Sequence, residues 1–372
     1  MKKILSLLTL MLIPVICSAS GYALYEMNAR AHGMAHAYIA RVDDASAIWY
    51  NPAALTRIKG TEVYGSATWI HTGGDFTPDL TGSTIDAVEG DHFPPNFYVA
   101  HELSDNWRFG VGIYTPFGLR TEWPEGSLPS FVSQKADLKT FYLTPSVAYK
   151  INPYISVGGG FDIVWSDVEL ERNISLAPRA PAVIFNDIQA DGTDFGFNLG
   201  ALIETSSNIN FAFTYKSKVD MDFDGTVEFT NVPPAFSSFF PNGDASLKLP
   251  LPAQFMIGAS TTYEKFSFEA DIIYTFWDQL DTIPVNFAIN TPVLPDTSII
   301  RNFDNGWSLR LGAEYSLNDQ MRLRAGYLFD ETPAPDQAID PILPDGTRNG
   351  VTFGFGYVTE GWSFDVGYMA LF

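Results

Sequence analysis

Between Asn208 and Thr230, apolar and polar side chains alternate almost without a break. Ile209, Phe211, Phe213, Tyr215, Val219, Met221, Phe223, Val227 and Phe229 share one parity. Asn208, Asn210, Thr214, Lys216, Lys218, Asp220, Asp222, Asp224, Glu228 and Thr230 share the other. Successive side chains of a strand point to opposite faces, so the segment reads as one β-strand with a greasy face and a charged face. At ~3.3 Å per residue it would span about 75 Å, several times the usual strand of a soluble sheet. A transmembrane strand needs only about 9–11 residues, and the excess predicts a barrel whose strands continue above the membrane.

The same alternation recurs down the chain. Trp107, Phe109, Val111 and Ile113 alternate with Arg108, Gly110 and Gly112; Phe195, Phe197 and Leu199 with Gly196 and Asn198; Trp362, Phe364, Val366 and Tyr368 with Ser363, Asp365 and Gly367. Tight turns at 104–106, 151–153, 206–207 and 317–319 take turns with long loops rich in Pro, Asp and Gly, as in an outer-membrane barrel. Thirteen strands are read, beginning near residues 61, 92, 107, 138, 154, 192, 208, 246, 265, 305, 320, 348 and 361. Single-chain bacterial barrels have an even number, so a further strand is expected beyond Phe372.

Composition narrows the class. Lys2 and Lys3 precede an apolar run from Ile4 to Ile16, and Cys17-Ser18-Ala19 completes a secretory leader over residues 1–19. Removing that leader takes the formal charge from −21 to −23 and leaves no cysteine. Nucleic acid is thereby an improbable partner, and disulfide, thiol and cysteine-metal chemistry are excluded. No later run reaches the 18 or so apolar residues of a membrane helix. A mean hydropathy of +0.02 with 15% aromatic residues suits strands with one greasy and one wet face. Residues 20–58 lack the alternation. Ala29–Ala37 is small and helix-compatible, so the segment ahead of the barrel (59–372) reads as a plug in its lumen.

Several motifs then occur in one order: Val42-Asp43-Asp44-Ala45-Ser46, Asn51-Pro52-Ala53, Tyr114–Trp123, Asp137-Leu138-Lys139-Thr140, Val168–Arg172 and Thr214–Val219. Together they resemble the FadL/TodX family of outer-membrane transporters for long-chain fatty acids and other hydrophobic compounds. The resemblance implies an all-β, fourteen-stranded transmembrane antiparallel barrel with an N-terminal hatch, in the outer membrane of a Gram-negative bacterium. It implies uptake by diffusion, without cofactor or energy-coupling protein, and sideways exit of the ligand at a kinked third strand. Arg172 falls on the family's carboxylate-contacting arginine, Arg301 lies near its second basic contact, and Tyr22 matches a pocket-filling aromatic.

The residues themselves suggest the route. A hydrophobic solute is stopped by lipopolysaccharide rather than by the bilayer core, so it needs an apolar path and a side exit into outer-membrane lipid. Phe236, Phe239 and Phe240 make a greasy extracellular loop that reads as a capture site. Val164, Val168, Leu170 and Arg172 share one parity, an apolar wall ending in a cation that could hold a carboxylate through two charged hydrogen bonds. Pro94 and Pro95 open the second strand and Pro116 closes the third. With Asp105 at the turn centre, Pro94 would face Pro116 and Pro95 would face Thr115, and prolines cannot bridge. Nearby Gly110, Gly112 and Gly118 would let the wall bend inward, which predicts a lateral gap reached by Asn51 of the hatch.

Other chemistry finds less support. His32 and His36, four apart, offer two metal ligands but the sequence supplies no third, so no metal is expected. Asp220, Asp222, Asp224 and Gly225 mimic a calcium loop, yet Asn231 stands where a bidentate Glu is required. An outer-membrane lipid hydrolase would need a Ser-His pair, and His71, His92 and His101 have no nucleophile context. The chain is therefore expected to be a monomeric, non-enzymatic transporter, with fatty acid first among solutes and aromatic or aliphatic hydrocarbon second.

Overall fold

A computed structural model describes residues 21–77 and 82–372; the expected leader, residues 1–19, lies outside them. Eighteen strand segments form one antiparallel sheet. Five of its staves are each interrupted once, which gives thirteen: β1 (Thr61–Ala67), β2 (Pro95–Glu102), β3 (Trp107–Tyr114 and Gly118–Glu122), β4 (Lys135–Asn152), β5 (Ile155–Ser175), β6 (Val183–Glu204), β7 (Ile209–Lys216 and Val219–Thr230), β8 (Gly243–Leu251 and Gln254–Tyr263), β9 (Phe266–Thr275 and Thr282–Phe287), β10 (Thr297–Ile300 and Gly306–Ser316), β11 (Met321–Asp330), β12 (Arg348–Thr359) and β13 (Trp362–Leu371). Several staves begin earlier than the pattern suggests, β6 at Val183 instead of 192 and β4 at Lys135 instead of 138. Among the described residues no ladder joins β1 to β13; β1 pairs with β2 and β13 with β12, so the wall is not closed.

The long alternating segment is two strands whose faces are exchanged. Asn198 of β6 faces Lys216, whereas Asp191 faces Asp224, so seven residues of β6 are matched by eight of β7. The extra residue is a bulge at Ser217-Lys218, and one extra residue turns every later side chain to the other face. Below it Ile209 and Phe211 point outward; above it Val219, Met221, Phe223, Val227 and Phe229 are buried inside while Asp220, Asp222 and Asp224 face out. The neighbouring β8 flips at the same height, around Pro252-Ala253, where inward Leu247, Leu249 and Leu251 give way to inward Gln254 and Met256.

The outer surface carries an apolar band. Phe161 (51% exposed), Phe195 (58%) and Leu199 (53%) would be untenable in water but suit lipid. On β5 the outward residues run Phe161, Ile163, Trp165 and then Asp167, Glu169, Glu171, so the band ends near Trp165.

Residues 21–58 fill the lumen. Asn28 caps helix α1 (Ala29–His32), its side-chain oxygen accepting from the Arg30 and Ala31 amides. Its amide donates to Asp44 at 3.0 Å and to Ser46 at 2.8 Å, and Tyr38 donates to Asp44 at 2.8 Å. The Val42–Ser46 motif is thus the internal tie of the hatch. Helix α2 (Ala47–Tyr50) follows, and Asn51 caps the 3-10 turn Pro52–Arg57. Inward glycines on the wall make room for this body. A Cβ on Gly200 would lie 2.1 Å from Asn51 Oδ1, and one on Gly326 would lie 2.4 Å from the Met34 backbone.

Candidate functional site

Two chambers are stacked above the hatch. The outer is a cavity of about 620 Å³ between β5 and the extracellular loops, lined by Phe131, Arg172, Leu176, Phe236, Phe239 and Phe240, among others. Phe240 is buried against Phe229, with ring centroids 5.5 Å apart, while Phe239 stays about one-third open. Arg172 keeps the inward parity of Val164 and Val168, is exposed to the cavity, and its side chain has no ion pair or hydrogen bond with any described residue. Desolvation alone lowers its pKa from the usual arginine value. It stands seven residues above Trp165, beyond the apolar band.

The inner pocket, about 60 Å³, is lined by Tyr22, Leu119, Val168, Leu170, Leu249 and Arg301, among others. Tyr22 is clamped on three sides. Its hydroxyl donates to the Pro250 carbonyl at 2.6 Å, and its ring meets Phe117 at 5.8 Å and Trp277, edge on, at 4.9 Å. Arg301, 2% exposed, donates through Nη1 to the Ala338 carbonyl at 3.1 Å and to Asp340 at 3.0 Å. The arginine beside Tyr22 is therefore Arg301, not Arg172. Leu170 closes the inner pocket, and Arg172, one full strand repeat or ~6.6 Å further along, opens into the outer cavity. Val164, fully buried, lies outside both linings.

Below Tyr22 the wall is interrupted. The β2–β3 ladder runs in the register fixed by the Asp105 turn and stops at Phe97 opposite Ile113, short of Pro94, Pro95, Thr115 and Pro116. On the other side of β3, Tyr114 faces Tyr142 and Gly118 faces Lys139, so four residues of β3 match three of β4. This bulge turns Phe117 and Leu119 inward. The edge of β3 left free by β2 is taken from within: the Leu24 amide donates to the Pro116 carbonyl at 2.8 Å and the Gly118 amide to the Tyr22 carbonyl at 2.9 Å. Exposed Phe93, Phe97 and Ile113 flank the break on the outside.

The hatch residue at the kink is thus not Asn51. Its amide donates to the Ala201 carbonyl of β6 at 3.1 Å, with Pro52 and Ala53 packed against Gly158 of β5, so this motif docks the hatch on the β5–β6 wall. Nor do Gly110 and Gly112 serve a bend. Cβ atoms there would meet Ile48 of α2 at 2.9 and 3.1 Å, so they seat the hatch. Sequence reasoning missed Phe117, Trp277 and Leu24, which the alternation could not single out because they lie at strand breaks or in the hatch. The barrel histidines pair with Asp91 (His71, 2.9 Å), Thr72 (His92, 3.3 Å) and Thr61 (His101, 2.8 Å), with no serine among these partners.

Residues 10–372 match the sequence profile of the family described as outer membrane protein transport protein (OMPP1/FadL/TodX). The long-chain fatty acid transport protein of Escherichia coli O6:H1 is 26% identical over 387 residues, covering 94% of this chain and 86% of that protein. Outer membrane protein P1 of Haemophilus influenzae is also 26% identical, covering 95% and 86%. Among solved structures, a Pseudomonas aeruginosa FadL homologue superposes with a TM-score of 0.81 at 21% identity, covering 95% of this chain and 91% of that one. The Ralstonia pickettii toluene transporter TbuX gives 0.71 at 18%, covering 94% and 98%. With the family profile spanning the barrel staves and the hatch alike, the chain belongs to the FadL/TodX family of Gram-negative outer-membrane transport proteins.

Proposed function

We propose that the chain carries hydrophobic molecules, long-chain fatty acids first, passively across the outer membrane. The route runs from the outer cavity through the inner pocket to a lateral exit between β2 and β3. The observation that carries this reading is Arg172, a guanidinium exposed to the outer cavity without a protein partner, beside Phe236, Phe239 and Phe240. A guanidinium with no protein partner keeps its donors open to the cavity, and a fatty-acid carboxylate could take two of them while its tail covers the phenyl rings. The inner pocket, about 60 Å³, is smaller than the ~150 Å³ apolar cavity that admits benzene, so passage requires Tyr22 to move. Moving Tyr22–Leu24 also frees the β3 edge at the break, and so couples entry to a sideways outlet into lipid. No cofactor or energy-coupling partner is needed. The protein acts as a monomer, with residues 20–58 as the hatch and 59–372 as the barrel, capturing its solute within the lipopolysaccharide layer.

A neutral hydrocarbon is the second reading, favoured by a pocket whose charges are already met, Arg301 by Asp340 and Asp137 by Arg120 and Lys139. Uptake of labelled oleate against labelled toluene, by cells carrying the protein or its Arg172→Ala variant, separates the two. The acid reading expects the variant to lose oleate uptake and keep toluene; equal losses would sink it.

A further inference from the structure

The hatch contains a side-chain cluster that transport does not use. One carboxylate oxygen of Glu26 and one ring nitrogen each of His32 and His36 lie within 4.8 Å of one another, with His36 Nε2 and Glu26 Oε1 4.0 Å apart. His32 Nδ1 and His36 Nε2 are buried and have no hydrogen-bond partner. His36 itself is 2% exposed. Orphaned buried nitrogens on two adjacent imidazoles are unusual, because buried polar atoms are ordinarily satisfied.

We propose that Glu26, His32 and His36 form a divalent transition-metal site that takes Zn²⁺. Two imidazole nitrogens and a carboxylate oxygen are a donor set that suits this ion, with a fourth position left for water. Tetrahedral ligands ~2.0–2.1 Å from zinc stand about 3.4 Å apart, so the three groups must close by roughly 1.5 Å. Rotation about the three side-chain torsions of Glu26, together with the two of half-buried His32, covers that distance. The backbone aims His36 at the site: Ala35 and His36 both have positive φ (55° and 64°), which folds the chain back after α1 and sets the two imidazoles edge to face at 5.1 Å. Tyr50 Oη lies 3.4 Å from His36 Nδ1, orienting the ring with Nε2 free.

The charges nearby permit a cation. Arg310 and Arg348 face His36, but both pair with Asp330, at 2.6 and 2.8 Å. Glu26 is partly open to the lumen, which gives an ion a way in. The third ligand is invisible in the sequence because Glu26 precedes α1 and shares no helical spacing with the histidines; the fold supplies it. Zinc would tie Glu26, two residues after Leu24, to the body of the hatch.

The test uses the full mature chain, purified in detergent without a histidine tag and stripped with a chelator. Titration with Co²⁺ should give the visible absorption of a low-coordinate site at one equivalent, discharged by Zn²⁺. His36→Asn keeps a residue tolerant of positive φ, and Glu26→Gln keeps the shape; each should weaken Zn²⁺ binding at least ~100-fold, since loss even of outer-shell partners costs 10–100-fold. His71→Ala, in the extracellular loop, should leave affinity unchanged. X-ray absorption of the zinc-loaded unmodified protein gives a readout independent of variant folding, and should show two imidazole nitrogens. Absence of stoichiometric uptake, a first shell without imidazole, or binding that survives both hatch substitutions would overturn the proposal.

Discussion

The outer cavity and the inner pocket both set arginine against an apolar surface, Arg172 and Arg179 in the outer and Arg301 in the inner, and they treat it in opposite ways. Arg301, in the tight pocket, is tied to Asp340 and to the Ala338 carbonyl. Arg172, in the wide cavity, has no such tie. A dry pocket cannot hold a bare charge, because desolvation would far exceed any gain, so its arginine arrives already neutralised. A roomy cavity lets water reach the guanidinium and keeps its hydrogen bonds available. On the proposed route the difference would separate capture from passage: the outer chamber would retain affinity for an acid, and the inner one would be a constriction that a neutral or neutralised tail can cross.

The harshest way to break this comparison is to fix the inner pocket while leaving the outer one intact. Ala23 and Phe117 form an isolated antiparallel bridge. Such partners lie ~4.5–5.5 Å apart at Cα, within disulfide range. The sequence has one cysteine, Cys17, within the segment expected to be a secretory leader. Oxidised Ala23→Cys/Phe117→Cys should bring oleate uptake down to that of cells lacking the protein, with oleate binding retained and uptake restored by reduction. Normal uptake in the oxidised form would exclude both the moving segment and the lateral exit. Next in size, Arg172→Ala should weaken oleate binding by roughly 1.5–3 kcal/mol, the range for a hydrogen bond to a charged group, measured by titration in detergent. Toluene binding should hardly change.

How far this was legible in the sequence depends on the kind of signal. Period-two alternation located the staves, because a strand in a barrel wall must grease one face. The Asp105 turn fixed the β2–β3 register, because turn length sets which residues oppose each other. The exchange of faces at Ser217-Lys218 was not legible: the greasy residues stay on odd numbers while the backbone turns over, so the alternation reads the same on both sides. Ser217, a polar residue on the greasy parity, was its one trace. The placing of Arg301 rather than Arg172 beside Tyr22 was hidden too, since it depends on where Leu170 closes a pocket assembled from the hatch, six staves (β3, β4, β5, β8, β9 and β10) and the loops between them. Asn51 was misplaced for a similar reason, as hatch residues have no periodicity to register them against a wall.

A smaller change should loosen the constriction itself. Tyr22→Phe removes only the hydroxyl that donates to the Pro250 carbonyl at 2.6 Å, leaving the ring between Phe117 and Trp277. Losing one such bond is worth about 1 kcal/mol, so initial oleate uptake at low concentration should rise by up to roughly fivefold with binding in the outer cavity unchanged. An unchanged rate would mean that ring packing alone holds the segment.

The finest test brings the two arginines into the same state. Asp340 is about one-quarter exposed, so its attraction for Arg301 is partly screened and contributes within the ~0–1 kcal/mol of a surface pair. Asp340→Asn keeps an acceptor for Arg301 Nη1 but withdraws the competing negative charge. If the inner pocket differs from the outer chiefly by that charge, the variant should hold oleate more tightly by up to about fivefold, with toluene unaffected, and the gain should vanish when Arg301→Ala is added. It should also slow release, because the constriction would then retain the carboxylate it normally lets pass. A loss of oleate affinity in Asp340→Asn would instead assign Asp340 to positioning the guanidinium and the Ala338 loop, and the two chambers would differ in shape rather than in charge.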